Sequence, residues 1–186
     1  MRLFVAIEAP DSWREAALVA TEAIARTSGV PLRAVDPALM HLTLRFLGEV
    51  AEEQLAPLGT ALGEAAPPID VELELGWAGT FGTPERTHTV WLGVAGDLDG
   101  LHAVASRVEG AVRAAGLPPE HRPLRAHLTL ARLGRQLGAA ERRAVASVVR
   151  DLDAPRAARS RAREVVLVRS YLGGAQPRYE AVGRFG

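Results

Sequence analysis

One eight-residue phrase occurs twice in this chain. It reads His41-Leu42-Thr43-Leu44-Arg45-Phe46-Leu47-Gly48 and, 86 residues later, His127-Leu128-Thr129-Leu130-Ala131-Arg132-Leu133-Gly134, with six of eight positions identical. Apolar and polar residues alternate until glycine breaks the run, so both copies read as strands. Residues two apart on a strand point to one face, about 7 Å from each other, which puts His41 beside Thr43 and His127 beside Thr129, with the leucines turned away. Core packing accounts for repeated leucines. It gives no reason to repeat a polar His and Thr in phase with them.

The flanks repeat as well. Leu3 to Ile7 reads as a buried strand, and Trp13, Ala17, Ala20 and Ile24 recur at helical spacing between Pro10-Asp11 and Ser28-Gly29. Glu49 to Ala66 reads as a helix with an acidic first turn, closed by Pro67-Pro68. Ile69 to Trp77 alternates as a half-exposed strand, after which Gly76, Gly79, Gly82 and Pro84 suggest an irregular connection through Phe81. The plan then restarts: strand Val90 to Val94, helix Asp97 to Ala115, a break at Gly116 to Pro119, strand Ala126 to Arg132, helix Ala139 to Leu152. After a connection from Asp153 to Arg163, strands Glu164 to Ser170 and Tyr179 to Phe185 flank Gly173-Gly174 and Pro177. This pattern predicts an α+β fold of duplicated β-α-β-α units, with mostly antiparallel strands lining a central cleft and helices outside. Residues 1–186 are expected to form a single domain of two pseudo-symmetric lobes, with the His-x-Thr strands at 41–46 and 127–132.

Composition narrows the chemistry. The 186 residues include no Cys, no Lys and no Asn, and all 22 basic residues are arginines. Thiolate nucleophiles, zinc-thiolate sites, Schiff bases and lysyl-nucleotide intermediates are therefore excluded. No glycine-rich phosphate loop cradles a nucleotide cofactor. Net charge is zero, yet eleven arginines face three acids between His121 and Arg163, a bias that suits an anionic partner such as nucleic acid. The opening apolar run is shorter than that of a signal peptide, and no stretch nears the roughly 20 apolar residues of a membrane span. A cytoplasmic monomer with no membrane contact is expected.

Two imidazoles titrating near pH 6.5 can divide the roles of acid and base at neutral pH, and each threonine hydroxyl donates a hydrogen bond without adding charge. If the lobes bring His41 and His127 face to face, the site suits in-line displacement at phosphorus. One histidine would deprotonate the attacking hydroxyl and the other protonate the leaving oxygen, while Thr43, Thr129 and an arginine hold the remaining oxygens.

The two His-Leu-Thr-Leu phrases, the opening Arg2-Leu-Phe-Val-Ala-Ile, Leu44-Arg-Phe-Leu-Gly-Glu-Val, Val90-Trp-Leu-Gly-Val and Leu167-Val-Arg-Ser-Tyr-Leu-Gly-Gly with Tyr179 together resemble one family. It is the RNA 2′,3′-cyclic phosphodiesterase family, also called 2′-5′ RNA ligase, of the 2H phosphoesterase superfamily. The resemblance covers essentially the whole chain. It implies a bilobal fold and metal-independent, cofactor-free opening of an RNA or nucleotide 2′,3′-cyclic phosphate to a 2′-phosphate, with ATP-independent 2′-5′ joining of RNA ends by the reverse step. By the family pattern His41 is the acid and His127 the base, although the near symmetry of the motifs does not choose between them. The family also places a phosphate-binding arginine at Arg132. Strict strand parity conflicts with this, because it sets Arg45 on the face of His41 and Arg132 on the face opposite His127, so a bulge or a long guanidinium reach would be needed. Ala126 and Thr87-His88 stand where the family commonly has Pro and Pro-Arg, which leaves His88 as a stand-in for a basic contact.

Two other readings compete. A non-catalytic RNA or nucleotide-binding module on the same fold would not need both histidines and both threonines. A metallohydrolase using His41 and His127 with His88 or His121 lacks any ligand-like spacing or nearby carboxylate cluster. His102 and His121 read as structural or exposed. Trp91 and Phe46 are expected in the core, with a base-stacking place at the cleft rim as the alternative, and Phe81 and Tyr179 share that ambiguity.

Overall fold

The computed structural model describes residues 1–65, 69–153, 159–173 and 177–186. In chain order the elements are β1 (Arg2–Glu8), α1 (Asp11–Ser28), β2 (Arg33–Ala34), β3 (His41–Glu49), α2 (Leu55–Ala65), β4 (Val71–Phe81), β5 (Thr89–Gly96), α3 (Leu98–Ala114), β6 (His127–Arg132), α4 (Ala139–Arg150), β7 (Ser160–Ala162), β8 (Val165–Tyr171) and β9 (Arg178–Phe185). Pro67-Pro68 and Gly174, which the sequence suggests as breaks, lie outside the described residues.

The described strands form one sheet in the order β7-β4-β5-β6-β3-β1-β8-β9, with β2 pairing the end of β6 on its β3 side, and every pairing is antiparallel. The order is a palindrome of roles. Each His-x-Thr strand lies at the centre, its β-α-β partner next to it (β5 beside β6, β1 beside β3), and a two-stranded extension outside that. The halves meet through β3 and β6, in register at Leu42 and Leu128.

Residue parity decides which face is covered. Leu3, Val5 and Ile7 of β1 join Leu42, Leu44, Leu92, Leu128 and Leu130 in the main core, together with the buried stripes of all four helices. Removing one of these leucines leaves a void, and Leu42→Ala or Leu128→Ala costs about 2–5 kcal/mol. The opposite face carries only a small cluster of Phe4, Ala6, Val166 and Val168. That second face is open for chemistry.

Helix boundaries follow the local signals. Gly29 ends α1 in the left-handed conformation at φ 66°, and the Asp97 side chain caps α3 by accepting from the Gly100 amide at 2.8 Å. Three readings change. Glu52–Gln54 forms a 3-10 turn before α2, so the second helix starts later than its acidic turn suggests. The strand β4 does not stop at Trp77 but runs to Phe81, because a bulge at Gly76-Trp77 absorbs the glycine that looks like a terminator. Within the apparent connection before β8, Ser160–Ala162 pairs with β4, aided by ion pairs from Arg159 and Arg161 to Asp70, Glu72 and Glu74.

Candidate active site

The pairing of Leu42 with Leu128 fixes the centre of the site. With these leucines in the core, the neighbours on either side turn to the open face. Antiparallel register then sets His41 across from Thr129 and Thr43 across from His127. The two histidines are diagonal, a relation that separates backbones by about 7–8 Å and lets two rings flank one phosphate. A cleft of about 720 Å³ opens over them, lined by His41, Thr43, His127, Thr129, Arg132 and Tyr179 among others.

Both imidazoles are held alike. His41 Nδ1 lies 2.7 Å from the Leu39 carbonyl and His127 Nδ1 2.6 Å from the Arg125 carbonyl, each two residues upstream. A carbonyl only accepts, so Nδ1 carries the proton and donates it, and Nε2 is left for the cleft. Aromatic rings wall each imidazole. Phe4 stacks on His41 at 4.7 Å and Tyr179 meets it edge-on at 5.4 Å, while Phe81 meets His127 edge-on at 4.9 Å and Trp91 lies 6.1 Å away. Trp91 fits because Gly79 across from it has no Cβ, which would sit 2.3 Å from the indole.

Burial lowers the pKa of both histidines below the ordinary value of 6.5, opposed in each by the carbonyl hydrogen bond. The positive charge of Arg132 lowers both further, and His127 adds to the lowering at His41. Burial likewise pushes the Tyr179 phenol up. Arg132 therefore shares one electrostatic neighbourhood with both imidazoles.

Its position has a backbone cause. On β6, Thr129 faces Trp91 and Ala131 faces Val90, so Leu130 is an extra residue. Leu130 and Ala131 are consequently both fully buried, and Arg132 turns to the face of His127 and Thr129. The same slip occurs on β3, where Thr43 faces Ala6 and Arg45 faces Val5, leaving Leu44 as the extra residue. Here it moves Arg45 off the cleft face. Arg45 Nε donates to Glu109 of α3 at 2.7 Å, and its other nitrogens donate to the Pro118 and Phe46 carbonyls. Phe46 takes the cleft position and is 54% exposed there, so the expectation of a core residue is corrected by the bulge.

His88 is exposed at the cleft wall with Nδ1 2.9 Å from Thr89 Oγ1, whereas His102 and His121 are exposed and do not line the cleft. Among the described residues no three His, Asp or Glu side chains gather as metal ligands would. Also among them, no helix is long and apolar enough to cross a membrane. The sequence did not single out Arg33 as part of the cleft wall or Phe4 as the ring packed against His41. The unbroken apolar run Leu3 to Ile7 carried the signal for Phe4, since a strand apolar at every position must cover something on both faces.

Comparison with known proteins agrees with this fold. The family model described as the 2′-5′ RNA ligase superfamily matches residues 9–174. The chain is 37% identical over 115 residues to an RNA 2′,3′-cyclic phosphodiesterase of Aeropyrum pernix, an alignment covering 60% of this chain and 62% of that protein. It is 36% identical over 137 residues to the one from Archaeoglobus fulgidus, covering 73% and 74%. The crystal structure of Escherichia coli LigT complexed with 3′-AMP is similar with a TM-score of 0.73 at 27% identity, over 99% of this chain and 96% of that one. A crystal structure from Thermus thermophilus gives 0.74 at 27%, over 100% and 97%. With the duplicated motif, the sheet order and the matched region all in agreement, the chain belongs to the 2′-5′ RNA ligase superfamily.

Proposed function

We propose that this chain is a hydrolase that opens the 2′,3′-cyclic phosphate of RNA ends or nucleotides to a 2′-phosphate, using His41 and His127 as acid and base. The observation that carries the reading is the diagonal pair of imidazoles, each with Nδ1 tied to a carbonyl and Nε2 free, over one cleft. The names of the relatives, RNA 2′,3′-cyclic phosphodiesterases, support the substrate class.

In this mechanism Nε2 of His127 takes a proton from water as its oxygen attacks phosphorus. The bond from phosphorus to the 3′ oxygen breaks in line, and the Nε2 proton of His41 goes to that oxygen, leaving a 2′-phosphate and a 3′-hydroxyl. Thr43 and Thr129 donate hydrogen bonds to the non-bridging oxygens, and Arg132 holds the charge that builds on them. Before substrate arrives, burial and Arg132 lower both histidine pKa values and so favour the neutral rings. An arriving phosphate anion offsets Arg132 and favours one imidazolium, so the acid is charged when substrate is in place. A 5′-hydroxyl replacing water in the same step forms a 2′-5′ phosphodiester without ATP. In this reading the chain acts as a monomer, one domain of two lobes.

The test is incubation of chelator-treated protein with a nucleoside 2′,3′-cyclic phosphate, with the product read by phosphorus NMR. A 2′-phosphate alone is expected. A 3′-phosphate, or no turnover with intact binding, would favour a different reaction or the binding-module reading.

A further inference from the structure

Arg33 enters the cleft by a route that the duplication does not share. The two-residue strand β2 pairs with the far end of β6, Arg33 directly opposite Arg132 and Ala34 opposite Ala131, and the Val35 amide donates to the Leu130 carbonyl at 2.8 Å. Both arginines line the cleft. Like charges directly opposite on neighbouring strands repel and destabilise the pair. Several arginines elsewhere in the chain are matched: Arg14, Arg45, Arg122, Arg159, Arg161 and Arg184 each hold a carboxylate. Among the described residues neither Arg33 nor Arg132 holds one. Two guanidinium groups in register on neighbouring strands, with β2 pinned by a backbone hydrogen bond, form a preset anion site with two positive charges.

The two arginines are not equivalent. Arg132 is close enough to both histidines to lower their pKa values, whereas Arg33 faces it from β2, which pairs with β6 on the β3 side. Adjacent strands are about 4.8 Å apart, so the second charge stands beside the first on the same wall. In the other lobe the place matching Arg132 is Phe46, and the chain position 86 residues after Arg33 is Pro119, so this wall alone has the doubled charge.

We propose that Arg33 forms a second phosphate subsite, which holds the internucleotide phosphodiester next to the terminal cyclic phosphate and makes the enzyme favour RNA ends over mononucleotides. The proposal rests on the phosphodiesterase reading above. Arg132 serves the terminal phosphate, and Arg33 serves the next one along the strand.

The experiment compares Arg33→Gln with the unaltered protein on two substrates, a nucleoside 2′,3′-cyclic phosphate and a short oligonucleotide ending in one. The ratio of kcat/KM, oligonucleotide over mononucleotide, is expected to fall at least tenfold. The slope of log kcat/KM against log salt for the oligonucleotide should fall by about 0.7, the value for one phosphate contact on a single strand. Arg33→Lys, which keeps a point charge, should restore the slope. Equal losses on both substrates would place Arg33 at the terminal phosphate and overturn the proposal, as would no loss on either. Fluorescence anisotropy with an oligonucleotide ending in a 2′-phosphate, competed by the matching mononucleotide, reads the subsite without turnover. Failure of the hydrolysis reading is thereby separated from failure of the subsite.

Discussion

The two copies of the motif share a backbone and differ in two residues, and under the proposed function that difference separates catalysis from binding. Both have the same histidine-to-carbonyl hydrogen bond and the same extra leucine, Leu44 or Leu130. Each also has an arginine, but one position apart. Because the bulge reverses parity after the leucine, that one-residue offset sends Arg45 to Glu109 on the helix side and Arg132 into the cleft. In exchange Phe46 occupies the position that Arg132 holds in the other copy. Two similarly held imidazoles therefore lie between unequal walls, both aromatic but only one carrying Arg132. Under the proposed mechanism, this asymmetry would let a phosphate enter in one orientation.

The largest expected effect breaks the symmetric part. His41→Ala and His127→Ala should each lower kcat at least about 100-fold, the low end for general acid-base catalysis, measured on a cyclic phosphate with the fold checked by circular dichroism. The cationic wall comes next. Arg132→Ala should lower kcat/KM by about 10- to 100-fold through loss of a charged hydrogen bond to the developing charge. Arg45→Ala should act on stability instead, costing about 1–2 kcal/mol as the half-buried Glu109 loses its partner, read from a denaturant midpoint. If Arg45→Ala damages turnover as much as Arg132→Ala does, the bulge does not sort the two arginines as described.

The aromatic wall should matter less. Phe46→Ala is expected to raise KM by about tenfold or somewhat more for a nucleoside cyclic phosphate, since stacking of a base on an aromatic ring contributes about 1–3 kcal/mol, with little change for ribose cyclic phosphate that has no base. The smallest effect is in pH. Because the free-enzyme pKa values of both histidines are lowered, kcat/KM should peak below pH 6.5 and decline toward pH 8. Linkage has the matching sign. Their contribution to stability is full above pH 6.5 and is lost as pH falls from there through the folded values, because the unfolded chain then binds more protons. Histidine NMR should also show the His41 titration moving up in His127→Gln, where the neighbouring charge is gone.

Much of this was legible in the residues. The duplication, the antiparallel α+β architecture and the pairing of His with Thr on one strand face all follow from period and phase, which local chemistry dictates. The bulges were not legible. Leu44 and Leu130 look like any inward-facing residue, and only pairing with β1 and β5 makes them supernumerary, so the destinations of Arg45, Phe46 and Arg132 depended on tertiary register. The strand β4 concealed its continuation for a related reason: Gly76 and Gly79 mimic breakers but make room, one in a bulge and one beneath Trp91. The strands β2 and β7 have two and three residues, too few for any period to show. The cleft wall at Arg33 depends on the first of these.

Whether the two imidazoles act as one unit on one phosphate is tested most directly by a double-mutant cycle. Turnover of a nucleoside 2′,3′-cyclic phosphate would be compared in the unaltered protein, His41→Ala, His127→Ala and the double variant. Acid and base serving a single step should leave the double variant little slower than either single one. Independent losses that multiply in the double variant, or full activity in either single variant, would contradict a shared step.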